Sequence, residues 1–223
     1  MNILTISTSG RAASAALTRD GAVLRHALRD DGLTHSQTIL PLIDSLFESD
    51  APFPLAETDA FAVDVGPGSF TGVRIGVCIA NAMAYACRKP VIEVSSLEAL
   101  AFAASVDGNP VCALLDARNG NGYAALYQSG REVMPPSPVV VAELLPTLPP
   151  DTLFTGDGAA AFHGEITAAL PRARFAEEGL TLLCAEMLAL PAAKKLACGV
   201  YVEEARPLYL RPTQAERLYK ERK

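Results

Sequence analysis

"LTISTSGRAASAALTRDGAVL", residues 4–24, and "ALLDARNGNGYAALYQSGREV", residues 113–133, settle the architecture between them. Placed so that Leu4 meets Ala113, they align Ala15, Ala16, Leu17 and Gly21 with Ala124, Ala125, Leu126 and Gly130. Each reads as strand, turn, strand, turn, and the turns coincide as well as the residues. This argues for a duplicated unit over two unrelated hairpins. The chain has 223 residues, half of them apolar, so it can bury a substantial core. We divide it into halves at 1–106 and 107–223.

Working outward, residues 2–7, 13–18 and 21–29 form a three-stranded antiparallel meander. In "THSQTILPLIDSLF" (34–47), Thr34 and Gln37 have the spacing of a capping box, and Ile39, Leu42, Ile43, Leu46 and Phe47 recur at helical intervals. Pro41 removes a backbone donor there and predicts a bend or a shortened helix. "DAFAVDV" (59–65) is a buried strand that runs into a glycine loop and a helix over 70–87; "PVIEVSS" is a further strand, with Ser95 and Glu98 capping the next helix. The order βββαβαβα predicts an α/β fold, a mixed sheet with helices against it. In the second half, prolines at 135, 136, 138, 146, 149 and 150 break up the chain before the strand and turn "TLFTGDG" (152–158). Helical patterns follow at 159–170 and 181–198, and the charged tail "QAERLYKERK" is expected to fray.

The loop "GPGSFTGVRIG" (66–76) admits two readings. A glycine-rich turn feeding a helix N-terminus binds anions through its backbone, with Gly66 and Gly68 allowing unusual angles and Ser69 and Thr71 offering hydroxyls. It is not a Walker A loop, since Val73 and Arg74 follow Gly72, and the GxGxxG spacing fails at Thr71. Against this, Gly72, Gly76, Ala80 and Ala84 recur every four residues as a small face that lets another element come close. We favour close packing, or a subunit interface, over anion binding.

Among the three histidines, His26, His35 and His163, no two stand at i, i+4, so a metal site is not expected. His35 reads as a surface or structural group. No GxSxG elbow occurs, and the aspartate of "GDGA" (156–159) reads as a turn residue. Ser7 stands where the second copy carries Asp116, and a serine supplies no charge to organise Mg²⁺ and phosphate. Five scattered cysteines without a CxxC pair read as small buried apolar groups. The net charge of −6, with a pI near 5.1, excludes a self-sufficient nucleic-acid binder. "MNILTIS" is no signal peptide and no apolar run is long enough to span a bilayer, so no membrane partner and a cytoplasmic location are expected.

"HSQTILP" (35–41), "GPGSFTGVRIG" (66–76), "DARNGNGY" (116–123), "GDG" (156–158) and "PLYLR" (207–211), in this order and at these spacings, resemble the bacterial TsaB (YeaZ) family over nearly the whole chain. The resemblance implies an actin-like, sugar-kinase (ASKHA) fold of two RNase H-like mixed-sheet subdomains flanked by helices. It implies a non-catalytic scaffold in threonylcarbamoylation of tRNA adenosine beside the anticodon. Such a scaffold heterodimerises with a catalytic TsaD-type subunit, supports recruitment of a TsaE-type ATPase, reaches tRNA through the complex, and forms homodimers when the partner is absent. Where that catalytic subunit binds metal through two histidines on one helix, this chain offers only His35. The resemblance places the helices near 35–48 and 70–87 against the partner, through His35, Ile39, Leu42, Ile43, Leu46, Gly72, Val73, Gly76, Ala80 and Ala84. No intrinsic cofactor is implied; any ATP or ADP would be weakly held or held at an interface, with Ser7, Thr8, Gly66, Gly68, Ser69 and Thr71 as the candidate phosphate loop. Ser7 replaces the family's usual aspartate and Asn121 a frequent acid, and both changes weaken independent nucleotide hydrolysis. The alternative is an active small-molecule kinase or ATPase on the same fold. A metalloprotease, a third reading, predicts stoichiometric zinc or iron.

Overall fold

A computed structural model describes residues 1–30, 32, 34–105 and 108–211. The charged tail and the division at 106/107 fall outside these residues. The first half is β1 (Asn2–Ser7), β2 (Ala13–Arg19), β3 (Ala22–Arg29), α1 (His35–Leu46), β4 (Ala60–Asp64), α2 (Phe70–Cys87), β5 (Val91–Val94) and α3 (Ser96–Ala104). The second half is β6 (Pro110–Asp116), β7 (Asn121–Gln128), β8 (Arg131–Val140), α4 (Val141–Leu144), β9 (Leu153–Thr155), α5 (Asp157–Ala161), α6 (His163–Ala169), β10 (Arg174–Phe175) and α7 (Ala189–Ala197), joined by short 3₁₀ turns.

The two sheets repeat one topology, ordered β3-β2-β1-β4-β5 and β8-β7-β6-β9-β10. In each the first two strands pair antiparallel, while β1–β4 and β6–β9 pair parallel. The pairing refines the sequence superposition. Leu4 opposes Leu17 on the face covered by α1 and α2, and Cys112 opposes Leu126 on the face covered by α4 to α6. By face, Leu4 therefore matches Cys112 rather than Ala113. On that match the hairpin after β6 is the longer by one residue, and Ser7 corresponds to Leu115 rather than Asp116.

Three further expectations change. Pro135, Pro136 and Pro138 lie inside β8, because an edge strand needs no ladder donor on its open side. Thr34 makes no side-chain cap to the helix backbone; its hydroxyl donates to Gln37 Oε1 at 2.8 Å instead. The predicted helix over 159–170 breaks at Phe162 into α5 and α6, and the one over 181–198 starts as a 3₁₀ turn at Ala185. By contrast, the box at Ser95 and Glu98 is complete, and α1 is assigned continuously through Pro41.

The molecule has five layers, α1 and α2, the first sheet, α3 and α7, the second sheet, and α4 to α6. The middle layer joins the halves. α3 follows the first sheet in the chain, yet Leu97, Leu100 and Ala104 share one core with Val111, Ala113, Ala125 and Tyr127 of the second. α7 and the turn before it return the other way. The Thr5 hydroxyl donates to the Ala185 carbonyl at 2.8 Å, and the Ala185 N–H donates to Ser14 Oγ at 2.9 Å. Each sheet is thus covered on its inner face by a helix belonging, in sequence, to the other.

Candidate functional site

The glycine loop lies at the carboxyl end of β4, over a buried carboxylate that sequence reading passed over. Asp64 ends β4 at 1% exposure and accepts from the hydroxyls of Ser7 (2.9 Å), Ser96 (2.6 Å) and Ser9, and from the Gly66 N–H at 2.9 Å. Burial raises its pKa above the ordinary aspartate range, against the pull of these four donors. An acid closing an apolar strand just before Gly-Pro-Gly was the available signal. Because Ser7 ends β1, Ser9 follows it and Ser96 opens α3, the carboxylate at the end of β4 ties three elements together.

Above it, the loop is shut against the segment after β1. A Cβ on Gly68 would stand 2.6 Å from the Ser9 carbonyl oxygen, one on Gly72 2.0 Å from that of Thr8, and one on Gly76 2.5 Å from the Thr8 hydroxyl. Gly66 is the loop glycine whose backbone itself requires the residue, at φ +97°. Several of the loop's polar groups are used inside the fold: the Ser69 N–H donates to Ser9 O, the Gly72 N–H to Ser69 Oγ, and the Thr8 hydroxyl to Gly72 O. The surface these glycines approach presents the carbonyl oxygens of Thr8 and Ser9, which repel phosphate. Of the six phosphate-loop candidates, Ser7 and Thr8 are buried beneath the loop, while Ser69 and Thr71 are exposed.

The candidate partner residues divide by face. Ile39, Leu42, Ile43 and Leu46 of α1, and Gly72, Val73, Gly76, Ala80 and Ala84 of α2, are buried on the chain's own first sheet. Their small or apolar side chains serve the monomer, which corrects the expectation that they meet a partner directly. His35, half-buried, reaches the Gly10 carbonyl through Nε2 at 3.1 Å. The open face of the same helices is mostly apolar as well: Tyr85 is 89% exposed and Leu40 53%, and a groove of about 550 Å³ runs past Leu40, Pro41, Asp44, Phe47, Leu55 and Met83. Arg74 is the sole charged residue of α2. Contrary to the sequence expectation, this helix of 18 residues is long and apolar enough to cross a membrane by length and composition. In the fold it covers β4.

A second concavity, of about 1000 Å³, opens between the halves beside the glycine loop. Asp116, Asp157, Glu178 and Glu186 line it, with Arg11, which is paired to Asp30. Asp157 accepts the Asp116 N–H at 3.0 Å; burial raises its pKa, that hydrogen bond lowers it, and the Asp116 charge raises it again. Glu186 pairs with His26, and His163 stacks on Phe175 at 4.3 Å. Among the described residues no group of three His, Cys, Asp or Glu is placed to hold a metal ion. The cysteines also divide: Cys112 and Cys184 are buried, their thiols pushed up by burial to about 12 and about 11, whereas Cys78 and Cys198 are exposed.

The family model of TsaD, tRNA N6-adenosine threonylcarbamoyltransferase, matches residues 32–216. The chain is 35% identical to the tRNA threonylcarbamoyladenosine biosynthesis protein TsaB of Escherichia coli, over 95% of each chain. Among solved structures, an uncharacterized Pseudomonas aeruginosa protein with similarity to peptidase YEAZ is 31% identical, with a TM-score of 0.79 over 94% of this chain and 99% of that one. A ROK hexokinase from Thermus thermophilus, 12% identical at a TM-score of 0.53 over 89% of this chain and 100% of that one, shares the fold alone.

Proposed function

The chain belongs to the TsaB (YeaZ) family, and on that premise we propose that it is a non-catalytic subunit of the machinery that threonylcarbamoylates tRNA adenosine next to the anticodon. Its task is to hold a TsaD-type catalytic subunit, with which it shares a fold, and through that pair to support a TsaE-type ATPase in the cytoplasm. The observation carrying this reading is the mostly apolar open face of α1 and α2, on which Asp44 and Arg74 are the charged residues. A helix pair facing only water would carry more Lys and Glu there; this one exposes Leu40 and Tyr85, with Ile75, Ile79 and Met83 half-buried beside them. The same surface accommodates a second copy of the chain when the partner is absent.

A non-catalytic role also accounts for the glycine loop, whose glycines close against the carbonyl oxygens of Thr8 and Ser9, and for Ser7, whose hydroxyl is given to Asp64. ATP or ADP, if held, would sit at the interface or in the acidic cleft with its own counter-cation.

The test is co-elution with a TsaD-type protein. Tyr85→Asp and Leu40→Asp place charges on the open face and should abolish co-elution while leaving the monomer folded. Ala80→Trp is unsuitable, because Ala80 is fully buried and an indole there would disrupt the monomer. Retained co-elution of both aspartate variants would remove the proposed face. Turnover of ATP with a small-molecule acceptor by the chain alone would favour the kinase instead.

A further inference from the structure

After α7 the chain runs on across both halves. Residues 200–211 run as a strap along the first half and finish on the second. Val202 exchanges two backbone hydrogen bonds with Val91, both at 2.9 Å, at the edge of β5. The Asn81 amide of α2 then brackets Ala205, donating to its carbonyl at 3.0 Å and accepting its N–H at 2.8 Å. Next, the Leu208 N–H donates to Val65 O at 2.8 Å, directly before the glycine loop. At the first turn of α2, Tyr209 stacks on Phe70 with centroids 5.0 Å apart, the Arg74 guanidinium lies 3.8 Å over Phe70, and Arg74 Nε donates to the Tyr209 hydroxyl at 2.6 Å. Two residues later the strap crosses over. Arg211 donates to Asn121 Oδ1 at 2.9 Å and lies 5.6 Å over the Tyr123 ring, both in the hairpin of β6 and β7.

The crossing has a definite place. Tyr123 and Ser69, the residue before Phe70, line opposite walls of the cleft between the halves. At the cleft's closed side the sheets are joined by the continuous core around α3, which has no slack. At the open side the described residues show no comparable core, and the strap supplies a bridge there.

We propose that residues 202–211 are a clasp between the two halves, which anchors on α2 and limits how far the cleft opens through the grip of Arg211 on Asn121 and Tyr123. Its arms differ in strength. The first-half arm is backbone pairing plus an aromatic and arginine stack, while among the described residues the second-half arm is one side chain. Release therefore begins at Arg211. Since Phe70 and Arg74 belong to α2, whatever stiffens that helix also stiffens the clasp, and the coupling is reciprocal.

The test measures the distance between spin labels at Ser36→Cys on α1 and Glu143→Cys on α4, two exposed positions on the outer layers, in the full chain with Cys78, Cys87 and Cys198 replaced by serine. The parent should give one narrow distance. Arg211→Ala should broaden it toward longer values, the open population rising about tenfold, as loss of one charge-assisted hydrogen bond and a cation–π contact allows. Asn121→Ala should reproduce most of this, and Arg211→Lys, which keeps the charge over Tyr123, should restore part of the narrow distribution. Tyr209→Phe keeps the stack but loses the Arg74 bond and should broaden it less than Tyr209→Ala. Should Arg211→Ala unfold the chain, the Arg211→Lys and Tyr209→Phe series carries the test. An unchanged distribution in folded Arg211→Ala, or equal broadening by Tyr209→Phe and Tyr209→Ala, would overturn the clasp.

Discussion

At the scale of single residues, Gly72 and Asp64 decide what the loop can be. A methyl group on Gly72 would meet the Thr8 carbonyl oxygen, backbone against backbone, so neither side can yield cheaply. Gly72→Ala should therefore cost about 2 kcal/mol or more, an overpacking penalty far above the gain in helix propensity. Gly164 in α6 has open space around its Cβ position, and Gly164→Ala should stabilise by about 0.5–1 kcal/mol. Denaturant midpoints of the two variants give the comparison directly. Asp64 predicts a pH dependence of definite sign. Its folded-state pKa is raised by burial, so the stability it contributes is fully present below the unfolded value of about 4 and is lost as pH rises through the folded value. The advantage of the parent over Asp64→Asn should be greatest near pH 4 and shrink on raising the pH. Urea titrations of both proteins at several pH values measure that difference. The sequence announced the glycines but not the oxygen they approach. A contact between Gly72 and Thr8 depends on where α2 lands on β1, which no local pattern encodes.

At the scale of elements, two capping signatures of equal quality in the sequence have different fates. Ser95 accepts from the N–H groups of Leu97 and Glu98, and the Glu98 carboxylate accepts from the Ser95 N–H; Glu98 is further fixed by Lys195 at 2.6 Å. The side chains of Thr34 and Gln37 satisfy each other. Ser95→Ala should then cost about 1 kcal/mol and Thr34→Ala close to nothing, which thermal unfolding of each single variant resolves. Period and capping letters placed the first-half elements within a residue or two, because the helices bury one continuous face and the central strands β1, β2 and β4 are short runs buried on both. They misled in the second half. There β8 tolerates three prolines because its outer edge is unpaired, and an edge cannot be told from a loop before the sheet order is known. The face of α2 was misread for a similar reason. Small residues signal a close neighbour without saying whether that neighbour is the same chain, and here it is the segment after β1 together with β4. The apolar residues left outside are unexplained by the monomer, and this makes them the better marker of a partner.

At the scale of the whole molecule, the duplication visible in the sequence hides an exchange. A chain cut at 106/107 keeps each sheet intact but removes from each the helix that covers its inner face, since α3 packs on the second sheet while α7 and the turn at Ala185 pack on the first. The halves are repeats in topology and a single unit in their core. Leu97 makes the consequence measurable: it is fully buried in α3, among side chains of both sheets. Truncating it removes apolar surface and leaves a void whose walls belong to both halves, so Leu97→Ala should destabilise by about 2–5 kcal/mol. If the halves were independent, the loss would lower one of two transitions and leave the other in place. Because they share a core, calorimetry should show one transition in the parent and one, at lower temperature, in the variant, with van't Hoff and calorimetric enthalpies equal in both. Two separated transitions in Leu97→Ala would mean that the helix exchange adds contact without cooperativity.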